Sequence, residues 1–152
     1  MVRLTRLEII IVFEKYFRAA LFDSAIHIEG ATEILEYLNG RYILGVASNG
    51  PYEQQINRLI RGNMHHYFSH YFISEKIGYS KPSKEFFNHC LGALKLPPSE
   101  ILMIGDTLSS DMAGAIASGF KSCFFDKYAS GKAKDFKIDY EITSLDEIKK
   151  FL

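Results

Sequence analysis

From Gly30 onward the chain alternates short, wholly apolar runs with amphipathic stretches, and this alternation leaves few folds open to it. Apolar runs of strand length, rich in β-branched and aromatic residues, read as buried strands, whereas apolar residues recurring every three to four positions read as helices. Arg41 to Ser48, His70 to Ser74, Ile101 to Ile104 and Lys121 to Phe125 are predicted strands, and Ile138 to Ile142 adds an edge strand. Between them, GATEILEYLNG places Ile34, Leu35 and Leu38 on one helical face and ends at Asn39-Gly40. YEQQINRLIRG offers Ile56, Leu59 and Ile60 as an apolar stripe, with Glu53, Gln54 and Arg58 left wet. KEFFNHCLGALKL follows a proline placed for an early helical turn, DMAGAIASG closes at Gly119, and Ser144 and Glu147 have the capping-box spacing that starts DEIKKFL. Strands separated by helices wind into a parallel sheet covered on both faces, so the expectation is α/β.

A chain of 152 residues, 47% apolar, can bury one such core and not two. Its 18 basic and 18 acidic residues cancel and are spread along the sequence, which argues against a nucleic acid polymer as partner. Two cysteines, Cys90 in a predicted helix and Cys123 in a predicted strand, suit buried reduced thiols and a cytoplasmic protein. The apolar stretch LEIIIVF is too short to span a bilayer and lacks the cleavage signature of a secretory signal, so no membrane association is expected.

The first thirty residues are less regular. RLEIIIVFEKYFRAALFDS reads either as a long amphipathic helix or as a strand followed by a helix. The helix is preferred, because charges recur at helical intervals and no turn residue interrupts the run.

Three strand-to-helix transitions carry residues suited to chemistry. In MIGDTLSSDMAG, Asp106 stands at the carboxyl end of a buried strand and Asp111 near the start of the next helix. Ligands of open α/β sheets bind at such strand ends, and hard carboxylate oxygens there suit Mg²⁺, although GDxxxxD also describes an ordinary turn and helix cap. In GVASNG, Ser48 and Asn49 occupy the equivalent place on another strand, where a hydroxyl and backbone amides can hold phosphate oxygens. In GYSKPSKEFF, Lys81 precedes a proline that fixes the backbone and could aim its ammonium at a bound anion. Separately, HHYFSHYF sets His66 and His70 four residues apart, but the segment reads as a helix end running into a strand, where that spacing does not converge on a metal and ring packing is expected. Asp135 and Asp139 read as solvated.

In this order and spacing the motifs resemble those of the haloacid-dehalogenase-like hydrolases, most closely the phosphatase branch that includes pyrimidine 5′-nucleotidases. VASNG resembles the second motif of that superfamily, KPSKEFF the third and IGDTLSSD the fourth, and the likeness runs from about Leu7 to Leu152. The resemblance implies a Rossmann-like parallel sheet. It also implies Ser48, Asn49 and Lys81 around a phosphoryl group, with Ser48 and Lys81 catalytic, and Asp106 and Asp111 organising Mg²⁺. The implied substrate is a small phosphorylated metabolite, with nucleoside monophosphates first.

The same resemblance implies an Asp-x-Asp nucleophile motif after an apolar strand at the centre of the sheet. The seven aspartates are Asp23, Asp106, Asp111, Asp126, Asp135, Asp139 and Asp146, and no two are separated by one residue. The expectation is therefore a truncated chain inactive by itself, with residues 1–28 a remnant of a helical cap and 29–152 a core lacking its first central strand. Strands left unpaired around that slot would favour a homodimer, a complementing chain or direct re-pairing. A non-catalytic anion-binding or regulatory protein is the competing class. The remaining alternative makes LEIIIVF the central strand with Glu14 in place of the aspartate, although Tyr16 then replaces the second carboxylate.

Overall fold

The computed structural model of this chain describes residues 8–11 and 28–152. Its elements in chain order are β1 (Glu8–Ile11), α1 (Ala31–Leu38), β2 (Ile43–Ser48), α2 (Tyr52–Arg61), β3 (His70–Ile73), α3 (Ser74–Ile77), α4 (Lys84–Leu94), β4 (Ile101–Gly105), α5 (Ala113–Ala117), β5 (Lys121–Phe125) and β6 (Tyr140–Ile142). A 3₁₀ segment, Leu145–Lys150, ends the chain's regular structure. The strands form one six-stranded sheet in the order β3-β2-β1-β4-β5-β6, and each neighbouring pair is parallel.

The α/β expectation is met, and the expected gap at the sheet's centre is not there. Glu8–Ile11 is a strand and not part of a helix, and it lies between β2 and β4, with Ile10 opposite Gly45 on one side and Met103 on the other. The physical reason is backbone accounting. Without β1, the inward edges of β2 and β4 would carry unpaired donors and acceptors at the centre of the sheet, and one four-residue strand satisfies both edges at once. Helical periodicity in the flanking charges does not weigh against that demand. The argument for a dimer or for re-paired strands therefore loses its premise. Residues 1–7 and 12–27, on which the rest of the cap assignment and Glu14 and Tyr16 fall, lie outside the described residues.

Alternation along each strand sends its side chains to two cores. Leu44, Val46, Leu102, Ile104, Cys123 and Phe125 face α1, where Ile34, Leu35 and Leu38 are at most 1% exposed. Ala47, Ile101, Met103 and Phe124 face the other way, onto Phe86, Phe87 and Cys90 of α4 and Ala115 of α5. Gly114 is dictated by this second core: a Cβ built there would lie 2.1 Å from Cε2 of the buried Phe87 ring.

Several local expectations are corrected. Leu59 of α2 is buried, but Ile60 is 55% exposed, so the stripe on this helix is one residue narrower than its sequence suggests. Pro82 lies outside α4, whose N-cap is Ser83, the hydroxyl accepting from the Phe86 amide at 3.3 Å. The last helix is 3₁₀. Asp139 is exposed, as expected, and its carboxylate also accepts from the amide and hydroxyl of buried Ser122 at 2.8 and 2.9 Å. Both cysteines are free and buried, and burial pushes each thiol up to about 12, which leaves them unreactive. Among the described residues no helix is long and apolar enough to cross a membrane.

The capping box does form. The Glu147 carboxylate accepts from the amides of Thr143 and Ser144 and the Thr143 hydroxyl, and pairs with Lys150. The Thr143 amide first, then Lys150, the Ser144 amide and the Thr143 hydroxyl, hold the acid at about 2 instead of its ordinary 4.5. A depressed folded-state pKa contributes stability that is complete above the unfolded value and is lost as pH falls through the folded one. Melting temperature followed from pH 5 to pH 2 should therefore fall less steeply for Glu147→Gln than for the parent; parallel curves would mean the box carries no linked charge.

Candidate functional site

The candidate site is assembled at the carboxyl edge of the sheet, where β2, β3, β4 and β5 hand the chain to their helices. β2 ends in Ser48, 4% exposed, whose Oγ is buried and has no hydrogen-bond partner among the described residues. An orphaned buried hydroxyl is unfavourable in a folded protein unless something outside the chain is meant to meet it. Ser48 shares a face with Val46, and both line a small pocket with Gln55 and Arg58 of α2.

Asn49, next in the chain, bonds the loop before α4. Its Oδ1 accepts from the Lys81 amide at 2.8 Å and its Nδ2 donates to the Lys81 carbonyl at 3.0 Å, so the side chain holds both backbone groups of Lys81 in the loop before α4. Lys81 is thereby fixed at its backbone. Its Nζ donates to the Ala47 carbonyl at 2.8 Å and pairs with Asp111 Oδ1 at 2.9 Å, both side chains fully buried.

Asp111 stands in a π-helical turn, Leu108–Met112, that precedes α5, with the Thr107 carbonyl accepting from the amides of both Asp111 and Met112. Extra turns of this kind re-aim side chains and recur at functional sites. Here it brings the carboxylate back onto β4: Oδ2 accepts from the Thr107 amide at 3.2 Å, and a Cβ at Gly105 would sit 2.5 Å from that oxygen. Gly105 is therefore required by the buried acid. Ser110 Oγ donates to Oδ1 at 3.3 Å. Asp106, one residue beyond β4, is partly buried, accepts from Thr107 Oγ1 at 3.2 Å, and lines an open cleft of about 610 Å³.

The structure thus connects Asn49, Lys81, Asp111 and, through Thr107, Asp106 in one network beside Ser48. It does not present the two aspartates alike. Asp111 is committed to Lys81, while Asp106 faces the cleft. Among the described residues no three acidic, histidine or cysteine side chains converge as a metal cluster. A cation that needs few protein ligands and keeps its waters, as Mg²⁺ does, fits this donor set through Asp106. The histidines pack as rings, His65 on Tyr71 at 5.0 Å and His70 near Phe72 at 5.9 Å between centroids.

Three residues at this edge escape a motif-based reading. Ser74 Oγ accepts from the Gly50 amide at 2.9 Å and Glu75 Oε2 from the Tyr52 amide at 2.7 Å, so amides at the start of α2 that sequence offers to a phosphate are already engaged. Asp126, 5% exposed at the end of β5, lines the same cleft as Asp106. Their common signal is position: each lies within two residues of a strand's carboxyl end, as Asp106 does.

Residues 3–119 match the family of haloacid dehalogenase-like hydrolases. The chain is 30% identical over 137 residues to pyrimidine 5′-nucleotidase YjjG of Escherichia coli, covering 90% of this chain and 61% of that protein. It is 32% identical over 115 residues to a glyceraldehyde 3-phosphate phosphatase of Pyrococcus furiosus, covering 73% of this chain and 48% of that one. The magnesium-bound crystal structure of the Bacillus subtilis HAD-hydrolase YfnB superposes with a TM-score of 0.81 at 27% identity, covering 84% of this chain and 57% of that one. The chain thus spans about half to three-fifths of the length of these relatives.

Proposed function

Because the chain belongs to the haloacid dehalogenase-like hydrolases, we propose that its strand-end site receives the phosphoryl group of a small phosphorylated metabolite together with Mg²⁺, a nucleoside monophosphate being the first substrate to test. The observation that carries this reading is the buried Ser48 hydroxyl, without a hydrogen-bond partner among the described residues, next in sequence to the Asn49 side chain that holds the backbone of the ion-paired Lys81. Ser48 donates to a phosphoryl oxygen. Lys81 supplies positive charge from a position set by Ala47, Asn49 and Asp111. Asp106 gives the cation a hard oxygen, and Asp111 acts on the site through Lys81. Bound Mg²⁺ would supply charge neutralisation on the phosphoryl oxygens. The division between a cap-derived segment, 1–28, and a core, 29–152, belongs to the same proposal, with Glu8–Ile11 taken into the core sheet.

The sequence offers no Asp-x-Asp nucleophile, so the chain alone binds phosphoryl groups without turning them over. One observation favours a second reading. β1 fills the central position, and Glu14 comes three residues after its end. In that reading Glu14 is the attacking carboxylate.

Calorimetry separates these possibilities. Inorganic phosphate should bind the chain in the presence of Mg²⁺, and Ser48→Ala should weaken it about tenfold or more, as for a lost hydrogen bond to a charged group. Asp106→Asn should weaken Mg²⁺ binding. Absence of phosphate and Mg²⁺ binding by the parent would remove the proposal. Hydrolysis of 4-nitrophenyl phosphate that disappears in Glu14→Gln would replace the binding-only reading with the catalytic one.

A further inference from the structure

The turn that carries the chain from Ser48 into α2 is held from outside itself. β3 runs beside β2 with Ile73 opposite Ser48, and Ile73 is fully buried, so Ser74 leaves the sheet at a fixed point next to the turn. The Gly78 amide donates to the Ser74 carbonyl at 2.8 Å and fixes that backbone a second time. From there the Ser74 hydroxyl accepts from the Gly50 amide at 2.9 Å, and Glu75 Oε2 accepts from the Tyr52 amide at 2.7 Å. Pro51, between the two amides, has no N–H to donate and holds φ at −67°. Lys76 completes the set, its Nζ 4.9 Å from the centroid of the Tyr52 ring. Consecutive side chains of α3 thus hold the residues that directly follow Ser48 and Asn49.

Core packing does not require these contacts. Glu75 and Lys76 are exposed, and the bond from the Tyr52 amide to Glu75 lies at the surface, where a single interaction contributes little to stability. Its consequence is geometric: with Gly50 and Tyr52 both tied to α3, the turn has little freedom left, and Ser48 at its start is confined with it. We infer that Ser74 and Glu75 are positioning residues of the phosphoryl site, acting on Ser48 through the Gly50 and Tyr52 amides without touching the ligand. A hydroxyl aimed in advance meets an anion without the ordering cost that a loose turn would add. The inference rests on the phosphoryl-binding reading above and adds to it the side chains that hold the site's geometry.

The test titrates inorganic phosphate into the full chain with Mg²⁺ by calorimetry, with urea midpoints measured on the same variants. Ser74→Ala should weaken phosphate binding about threefold to tenfold, the range of one lost neutral hydrogen bond, and Ser74→Thr, which keeps the hydroxyl, should restore most of it. Glu75→Ala should bind phosphate at least about threefold less tightly than Glu75→Gln. These two are compared because both lack the charge and only glutamine keeps an acceptor for the Tyr52 amide. Glu75 is exposed, so its variants fold even if Ser74→Ala does not. In the Ser48→Ala background, Ser74→Ala should cost almost nothing further, since the hydroxyl it aims is gone. Phosphate affinity that is unchanged by Ser74→Ala and equal in the two Glu75 variants, with or without a lowered urea midpoint, would overturn the positioning role and leave the phosphoryl reading intact. So would a loss from Ser74→Ala that adds in full to that from Ser48→Ala. If the parent itself does not bind phosphate, the two readings fall together.

Discussion

Asp111→Ala is expected to destabilise the protein by about 3–5 kcal/mol, because it removes the carboxylate paired with the Lys81 ammonium where both side chains are fully buried. The cost arises less from the lost attraction than from the charge left behind. Urea denaturation of the parent and variant measures it directly. A second substitution makes the result diagnostic: Lys81→Met in the Asp111→Leu background removes both charges and replaces them with apolar groups, which should recover most of the stability. Phosphate binding should not recover with it. If the double variant were as stable as the parent and still bound phosphate, Lys81 would be a structural residue and the site would lie elsewhere. If Asp111→Ala cost under about 1 kcal/mol, the pair would behave as solvated and its burial would be wrong.

Ile10→Pro should be nearly as damaging, on the order of 3 kcal/mol, since proline inside a two-sided ladder removes a donor and leaves a buried acceptor without a partner. The expectation depends on β1 being central, with Ile10 flanked by Gly45 and Met103. Hydrogen exchange supplies the independent readout. The amides of Ile9 to Ile11 should exchange only through global unfolding, at the rate of those in β2 and β4. Fast exchange there, or a proline variant as stable as the parent, would take the segment out of the sheet.

These two residues also mark where sequence reasoning succeeded and where it failed. Lys81, Asp106 and Asp111 were legible as a group because each follows from local chemistry: a buried strand, a turn residue, a helix start. Their division of labour was not. That Asp111 bonds Lys81 while Asp106 faces the cleft depends on a π-helical turn and on the bare backbone at Gly105, and neither leaves a mark in the spacing of GDTLSSD. Asn49 shows the same limit. Its amide can contact a phosphate or a backbone with equal ease, and the backbone it holds lies 32 residues away.

The amphipathic pattern by itself determined the class of fold, the five later strands and the buried face of α1, because hydrophobic periodicity is a local property that burial rewards. It also put the candidate residues where strands end. Only the tertiary structure decided what sits at the sheet's centre, since EIII satisfies a helix and a strand equally well in isolation. The choice belongs to the backbone donors and acceptors of β2 and β4, which need a partner on each side. Pairing of that kind is set by neighbours distant in sequence, and no local signal encodes it.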